Sequence, residues 1–515
     1  MNATPPTKQA RTATMKLLDL PPEIIDLIID FSVPEGLESF ALSCSAVYRR
    51  ATSLIERHTA FRQKWAHTTN TRRARRGDTL AILYEIACEP DIAWYIESLS
   101  LWDRRHEDDI PDNAVVDNFR DSDEAMNNIK DLLHHAEYFA NADMEECWAR
   151  ILEEDQNPAI EGVDQLHTTV ALLSLLPNLK TLQLPDEWCE LSNTEAVESL
   201  ISSVGALVAM ANTSGPGSHP LAKIETILPF VEEGYDVRVA LQCLQPFMVL
   251  KSLRNLYAVS CLAVQDDWAG IPFSWPSPDL KSSLTKIEFA SCCMDVSALD
   301  VLLAHTPALT VFRYSHQSKW DGLELDWNPG AFLDVIANHT SNRLLELALT
   351  IDELHGEIVN GLSSFMRFEK LQVLEVDVEA FCGPPVESGQ RLGRDGFLPD
   401  GAKPWTHMDI PCMGDMLPAS IRELHVNTNF PRPSVQTLLS LFKNIVDRRR
   451  DRLVNLDTTI IRQFRGDSAQ EIAINYGVVL EVFEKDIQNP RPRSMMPLWK
   501  RRFHDTVGGI VSLTS

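Results

Sequence analysis

The sequence predicts an α/β fold in which a small N-terminal unit of three helices precedes an irregular solenoid of alternating strands and helices. Two observations lead to this prediction. A short apolar pattern, L-x-x-L-x-L, recurs along most of the chain, and helical patterns lie between its copies. Near the N-terminus, the stretch LPPEIIDLIIDF is apolar on more than one side, which is unusual for a surface helix.

The first helix is expected to begin beside Pro21 and Pro22, because a first helical turn tolerates a missing N–H. Glu23, Asp26 and Asp30 recur at intervals of three and four, so they share one narrow polar stripe. The remaining positions are apolar and comprise Ile24, Ile25, Leu27, Ile28, Ile29 and Phe31. Such a helix needs two apolar partners or a place deep in a large core.

Two further helices complete the predicted unit. Residues 32–36 (SVPEG) have the composition of a turn, residues 37–44 predict a short helix, and residues 46–65 show apolar side chains at helical spacing. A unit of about fifty residues rarely has enough core to be stable alone. We therefore expect the unit to pack against the rest of the chain.

These residues resemble an F-box, the three-helix motif that docks on the Skp adaptor of SCF-type cullin and RING ubiquitin ligases. The likeness consists of L-P-P-E-I-I-x-x-I-I at residues 20–29 and of Leu37, Phe40, Leu42, Ser43, Cys44 and Tyr48. Residues 33–35 (VPE) stand where the family often has Leu-Asp-Pro, and Tyr48 stands where it often has Trp. The resemblance implies an adaptor-binding surface made of Leu20, Pro21, Glu23, Ile24, Ile28, Ile29, Leu37, Leu42, Ser43 and Cys44. The alternative is that residues 16–65 are simply the first helices of a helical domain.

The recurring pattern predicts the rest of the fold. Residues 284–292 fit L-x-x-L-x-L-x-x-N/C, which is typical of the strand of a leucine-rich repeat. Residues 421–429 also fit it, and residues 253–261 fit it with one weak position. Shorter or weaker copies begin at Ile96, Leu179, Ile224, Leu309, Leu344, Leu371 and Leu453. Helical patterns occupy residues 194–211, 237–250, 296–304, 331–338, 353–368 and 434–448. Stacked units of this kind form a horseshoe with a parallel sheet on its concave face.

The chain divides into five predicted parts. They are a flexible tail (1–15), the F-box-like unit (16–65), a linker helix region (66–90), the repeat domain (91–485) and a C-terminal tail (486–515). The chain thus resembles fungal-type F-box domain-containing proteins with irregular C-terminal leucine-rich repeats. Cys261 and Cys292 fall in the last position of the repeat pattern, where we expect a buried structural thiol rather than a reactive one.

Two segments interrupt the repeats. Between residues 103 and 164 there are 19 acidic and 5 basic side chains, a local net charge of −14, and residues 103–130 of this stretch are expected to form a solvated insertion. A basic partner is the alternative explanation for this charge. Residues 383–418 are rich in Gly and Pro and predict a second long loop. Long loops on a rigid scaffold often bind partners, so Phe397, Trp405 and Met408 are candidate substrate-binding residues.

Composition excludes several classes of function. The net charge of −26 over 515 residues argues against general nucleic-acid binding. The sequence has no run of about 18 apolar residues, so we expect no membrane span. The polar N-terminus lacks the apolar core of a signal peptide. We therefore expect a cytoplasmic or nuclear protein whose ten cysteines are mostly free thiols. Residues 72–76 (RRARR) fit either an exposed linker or a nuclear localisation signal.

The local motifs of common enzymes are missing from the sequence. It contains no P-loop, no G-x-S-x-G, no H-E-x-x-H and no C-x-x-C. The adjacent Cys292 and Cys293, and His134, His135 and Cys147, lack the spacing of a metal site. We expect no catalytic residue, no metal and no cofactor.

The resemblance implies a substrate receptor of an SCF-type ubiquitin ligase. Its partners would be the Skp adaptor with its cullin–RING ligase and a protein substrate of unknown identity, without nucleic acid or membrane. One alternative is a repeat-based scaffold without a role in ubiquitination. Another is an enzyme whose site is assembled from scattered residues that leave no local motif.

Overall fold

The structure is a computed structural model with an all-parallel sheet at its centre. It describes residues 17–70, 78–101, 118–140, 144–156, 166–184, 188, 194–213, 219–229, 233–265, 270–319, 326–356, 358, 360–362, 364–382, 411–428, 435–464, 470–483 and 496–512. Within these residues, three N-terminal helices precede an α/β body that contains one 14-stranded sheet. Each strand pairing in the sheet is parallel, as the recurring pattern predicts.

The N-terminal helices form a unit with its own core. They are α1 (Pro22–Phe31), α2 (Leu37–Ala41) and α3 (Ser45–Trp65), close to the predicted bounds. Ile25, Ile29, Leu37, Ala41, Val47 and Ala51 are buried together in this core. The last turns of α3 reach the main core of the body, where Phe61 and Trp65 pack. One long helix thus anchors the small unit to the body, as its size requires.

The sheet follows the chain almost strand by strand. Its strands are β1 (His67–Thr69), β2 (Ser98–Ser100), β3 (Thr181–Leu184), β4 (Thr226–Pro229), β5 (Val239–Ala240), β6 (Asn255–Val259), β7 (Cys261–Ala263), β8 (Lys286–Met294), β9 (Val311–Gln317), β10 (Glu346–Glu353), β11 (Val373–Asp377), β12 (Glu423–Asn427), β13 (Thr458–Phe464) and β14 (Val479–Phe483). The order is β1-β2-β3-β4-β6-β8-β9-β10-β11-β12-β13-β14. The short β5 pairs with β7, and β7 also pairs with β8. Parallel neighbours need crossover connections, which the helices supply.

Helices between the strands cover one face of the sheet. The remaining helices are α4 (Thr79–Cys88), α5 (Ile92–Tyr95), α6 (Asp123–His134), α7 (Met144–Gln156), α8 (Leu166–Leu173), α9 (Thr194–Thr213), α10 (Gln245–Met248), α11 (Val296–Ala304), α12 (Pro329–Thr340), α13 (Glu379–Cys382), α14 (Met413–Met416), α15 (Val435–Phe442), α16 (Ile445–Asp451), α17 (Gln470–Tyr476) and α18 (Leu498–Ser512). Along β10, Leu347 and Leu349 pack in the main core, whereas Ala348 packs in a separate cluster with α18. The two faces of the sheet therefore have different partners.

The repeated pattern locates the strands closely. Nine of the ten predicted copies are followed by a strand that begins two residues after their first residue, from Ile96 and Ser98 at one end to Ile421 and Glu423 at the other. The copy that begins at Leu453 precedes β13 by five residues. Strands β1, β5, β7 and β14 were not predicted from the pattern.

Several predicted boundaries need correction. The predicted helix over residues 353–368 is not helical where it is described, and the 237–250 pattern gives β5, a 3-10 turn and the short α10. The described part of the acidic stretch, 118–130, is a 3-10 turn followed by α6, with Phe119 and Ile129 buried, instead of a solvated loop. In the Gly- and Pro-rich segment, residues 411–418 include α14.

Both predicted flanking regions belong to the body. The 66–90 region holds α4 and also the edge strand β1. The predicted C-terminal tail contains α18, whose Trp499 and Phe503 are buried against the sheet. Burial of these aromatic side chains explains why the segment forms a helix against the sheet instead of a tail.

The core of the N-terminal unit gives a matched test. Leu37 is fully buried, whereas Leu42 is 78% exposed. We predict that Leu37→Ala lowers the free energy of unfolding of this unit by about 2–5 kcal/mol, because it leaves a cavity. Leu42→Ala should change it by about 0.5 kcal/mol or less. Native-state hydrogen exchange of the α1 and α3 amides measures both; equal losses in the two variants would contradict the packing described.

Candidate functional site

Helix α1 carries two apolar faces. Ile25 and Ile29 are buried, while Ile24, Leu27 and Phe31 lie on another side of the helix at i, i+3 and i+7 and are exposed. The acidic residues of α1 are exposed on a third side. The core of the unit therefore supplies one of the two apolar partners that the sequence predicts for α1. The second apolar face of the helix stays exposed.

The exposed apolar side chains are concentrated on the N-terminal unit. Six of the twelve large apolar side chains that are exposed in the described residues lie between residues 18 and 48. They are Leu18, Ile24, Leu27, Phe31, Leu42 and Tyr48, and Phe31 is the most exposed of them at 83%. We call this set the exposed apolar face. Single exposed apolar residues are common, but six of them on one small unit make this unit the candidate contact surface.

The predicted adaptor-binding residues divide into two groups. Those that remain on the surface, exposed or half-buried, are Leu20, Pro21, Glu23, Ile24, Ile28, Leu42, Ser43 and Cys44. Ile29 and Leu37 are 1% and 0% exposed in the core of the unit, so their placement on a shared surface is corrected. Leu18, Leu27, Phe31 and Tyr48 were left out of that prediction, although the spacing from Ile24 to Leu27 and Phe31 points to one face.

An ion pair fixes α1 against α3 beside the exposed apolar face. The Arg50 guanidinium donates through Nε to Asp26 Oδ1 at 2.7 Å and through Nη2 to Asp26 Oδ2 at 2.5 Å. This bidentate hydrogen bond lowers the pKa of the Asp26 carboxyl and raises the pKa of Arg50. Both groups are exposed, so the pair contributes more to the orientation of α1 than to stability.

A groove separates the unit from the body. It has a volume of about 860 Å³ and lies between the loop that follows α1, the middle of α3 and α5. Phe31 and Trp94, both exposed, line it together with Tyr95. The hydroxyl of Tyr95 lies 3.0 Å from Nδ1 of the buried His58. The exposed apolar face therefore continues through Phe31 into the junction with the body.

Polar contacts tie the unit to the body around this groove. Arg57 of α3 forms ion pairs with Glu89 and, at 3.0 Å, with Asp91. Glu35, in the loop before α2, forms an ion pair with Lys223 of the body. These contacts set the position of the exposed apolar face relative to the sheet.

The second described site lies on the sheet face away from the main helices. There Lys500 of α18 places its Nζ 2.7 Å from Glu233 and 2.8 Å from Asp352, and only 2% of its side chain is exposed. The Ser291 hydroxyl oxygen lies 2.9 Å from each of these carboxylates and can donate its single proton to either one, and His504 lies 2.9 Å from Glu233. We call Glu233, Ser291 and Asp352 the acidic pocket.

The charge states in the acidic pocket follow from its contacts. Burial opposes the charge of Lys500, but Asp352 and Glu233 outweigh it and raise the pKa of the ammonium. Burial also opposes ionisation of Glu233, but His504 and Lys500 hold the pKa of this carboxyl well below its usual range. Lys500 is 3.2 Å from Ser291, yet a charged ammonium cannot take a proton from the hydroxyl. The arrangement therefore suits ion-pair recognition better than nucleophilic chemistry.

Other predicted candidates have different outcomes. Phe397, Trp405 and Met408 lie outside the described residues, as does the basic run 72–76. Cys261 and Cys292 are buried, and the pKa of the Cys261 thiol is raised by its hydrogen bond with Cys292 and by burial. This confirms their predicted burial. Seven described cysteines, among them Cys292 and Cys293, are free, and Cys243 is disulfide-bonded.

Comparison of the sequence with protein-family models gives no match, and comparison with curated proteins gives none either. Within the described ranges, no three His, Cys, Asp or Glu side chains are grouped as metal ligands. None of the described helices combines the length and the apolar character needed to cross a membrane. The function is therefore inferred from the geometry of the two surfaces.

One buried carboxyl beside the acidic pocket makes stability depend on pH. Burial, with a contribution from Asp352 and Glu375, raises the pKa of Asp377 from an ordinary 3.8 to about 8, even though the Ile351 amide donates to it at 2.5 Å. The native state therefore binds a proton more tightly than the unfolded chain does. The stability gained from the protonated Asp377 carboxyl is full below about pH 4 and is lost as the pH rises to about 8.

We predict that Asp377→Asn reduces this dependence. The melting temperature of the native chain should fall more steeply between pH 5 and pH 9 than that of the variant, because the amide does not ionise. Thermal unfolding across this range measures it. The control Asp451→Asn, at an exposed position, should keep the native slope. Equal slopes in the native chain and Asp377→Asn would contradict the assignment.

Proposed function

We propose that this chain is the substrate-recognition subunit of an SCF-type ubiquitin ligase. Its N-terminal helices would serve as an F-box and its α/β body as an irregular array of leucine-rich repeats. The observation that carries the proposal is the exposed apolar face, which holds half of the exposed large apolar side chains among the described residues. A surface of this kind is expected to be covered by another protein.

The geometry of α1 supports the F-box assignment. The sequence likeness to an F-box covers residues 20–48, and these residues supply most of the core of the unit and most of its exposed apolar face. Ile25 and Ile29 stabilise the unit from inside, which leaves Ile24, Leu27 and Phe31 available for an adaptor. One helix would thus serve both folding and binding.

The body supports the repeat assignment. The parallel strands follow the repeated pattern with a nearly constant offset, and each repeat packs mainly on its neighbours. At the end of the pattern, the Cys261 amide donates to Cys292 Sγ at 3.3 Å, between adjacent repeats. Buried thiols at this position agree with the structural role that the pattern predicts.

The proposed mechanism is recruitment. The N-terminal unit would bind the Skp adaptor of a cullin–RING ligase, and the body would hold a protein substrate close to the ubiquitin carrier. The gain in rate comes from proximity and orientation, without covalent chemistry or a cofactor in this chain. The ion pairs around the groove would keep the substrate-binding body at a defined position relative to the adaptor.

We predict that Ile24→Glu, Leu27→Glu and Phe31→Glu together abolish adaptor binding. Anchors buried in an interface contribute about 2 kcal/mol or more each, so the Kd should rise at least about 100-fold. Biolayer interferometry with purified Skp adaptor measures the change. Ile474→Glu with Val479→Glu is a matched control, because both side chains are exposed and apolar but lie in α17 and β14.

The outcomes separate the candidate functions. If the native chain and the control bind while the triple variant does not, the F-box assignment holds. A folded triple variant that binds as tightly as the native chain would overturn it. If the adaptor binds, ubiquitination of a captured partner in a reconstituted ligase then distinguishes a receptor from a scaffold without that activity.

A further inference from the structure

Helix α18 packs along the sheet through one apolar face. Trp499, Phe503 and Val507 recur at i, i+4 and i+8, so they form one face of the helix, and all three are buried. Their sheet partners are Leu228, Tyr257, Val259, Ala290 and Ala348, which come from four different strands. The contact therefore spans the sheet from β4 to β10.

The sheet also supplies polar groups that fit the start of a helix. Glu375 of β11 accepts hydrogen bonds from the backbone amides of Leu498 at 2.6 Å and Trp499 at 2.9 Å. A carboxylate at these amides satisfies free N–H groups and opposes the positive end of the helix dipole. The indole of Trp499 donates to Thr350 Oγ1 at 3.1 Å. This fixes both the start and the rotation of the bound helix.

Charge complementarity adds a second requirement. Glu233 and Asp352 receive the ammonium of Lys500 from α18, and His504 lies beside Glu233 on the next turn. On the sheet itself, the guanidinium of Arg462 lies 3.6 Å from the carboxylate of Glu375. Any helix that takes the place of α18 would again remove the carboxylates of Glu233 and Asp352 from water, so it would have to bring a cation to them. A ligand for this face must therefore carry a Lys or Arg next to its first aromatic residue.

We propose that this sheet face is a binding site for an amphipathic helix of a partner protein, and that α18 is its intramolecular occupant. The partner helix has an aromatic residue in its first turn, a cation at the next position, an aromatic residue four positions after the first and an apolar residue four further on. Occupation by α18 keeps the site closed until such a helix displaces it. The inference is independent of adaptor binding, because it involves the opposite end of the chain.

The test uses the full chain with α18 weakened by Trp499→Ala, Lys500→Ala and Phe503→Ala. The probe is a fluorescent peptide with the native sequence 496–512, and anisotropy measures its binding. A tethered helix competes at an effective concentration of about 1 mM, so the native chain should bind the peptide at least about 10-fold more weakly than the variant. Arg502→Ala, at an exposed position of α18, should behave like the native chain.

Substitutions on the sheet check the site itself. Adding Asp352→Asn and Glu375→Gln to the weakened variant should lower its affinity for the peptide at least about 10-fold, and a peptide with Lys500→Glu should bind equally poorly. A folded weakened variant that does not bind the native peptide would overturn the proposal.

Hydrogen exchange on the native chain covers the case in which the weakened variant does not fold. The amides of α18 should exchange through a local opening, at least about 10-fold faster than those of β8 to β10. Exchange of α18 only together with the sheet would show that the helix is a permanent part of the core and would overturn the proposal.

Discussion

The structure depends on the parallel ladder of backbone hydrogen bonds that runs from β1 to β14. Each interior strand satisfies its N–H and C=O groups only if it has a neighbour on both sides, so the array is stable as a stack and not as single units. Since side chains alternate along a strand, the same ladder creates two faces. The interstrand helices cover one face with the main core. The other face needs a different cover, and α18 supplies it across the middle of the sheet.

The two candidate surfaces lie at opposite ends of the sequence and differ in chemistry. The N-terminal unit leaves an apolar face uncovered, which suits a partner that buries Phe31 and its neighbours. The sheet face combines apolar positions with buried carboxylates, and a buried carboxylate is stable only when a cation or hydrogen-bond donor meets it. Lys500 does so within the chain. The first surface is therefore open to a partner, whereas the second is already filled.

Much of the fold could be predicted from the sequence because local spacing determines it. The apolar pattern places the strand that begins at Lys286, and the double apolar character of α1 follows from six apolar residues between positions 24 and 31. The failures involve long-range contacts. Residues 353–368 show helical spacing, but the amides of Leu362 and Phe365 donate to Ala380 and Met416, and a side chain at Gly361 would meet the Phe381 carbonyl. In the same way, the docking of α18 depends on carboxylates such as Glu233, more than 260 residues earlier, that no local pattern links to it.

Hydrogen–deuterium exchange of the native chain, with and without saturating Skp adaptor, is the decisive test of the exposed apolar face. We predict slower exchange over residues 17–48, centred on α1, with the amides of β8 to β11 unchanged. Unchanged exchange over residues 17–48 together with slower exchange on the sheet, or no change in either region, would contradict the assignment of this face as the adaptor-binding surface.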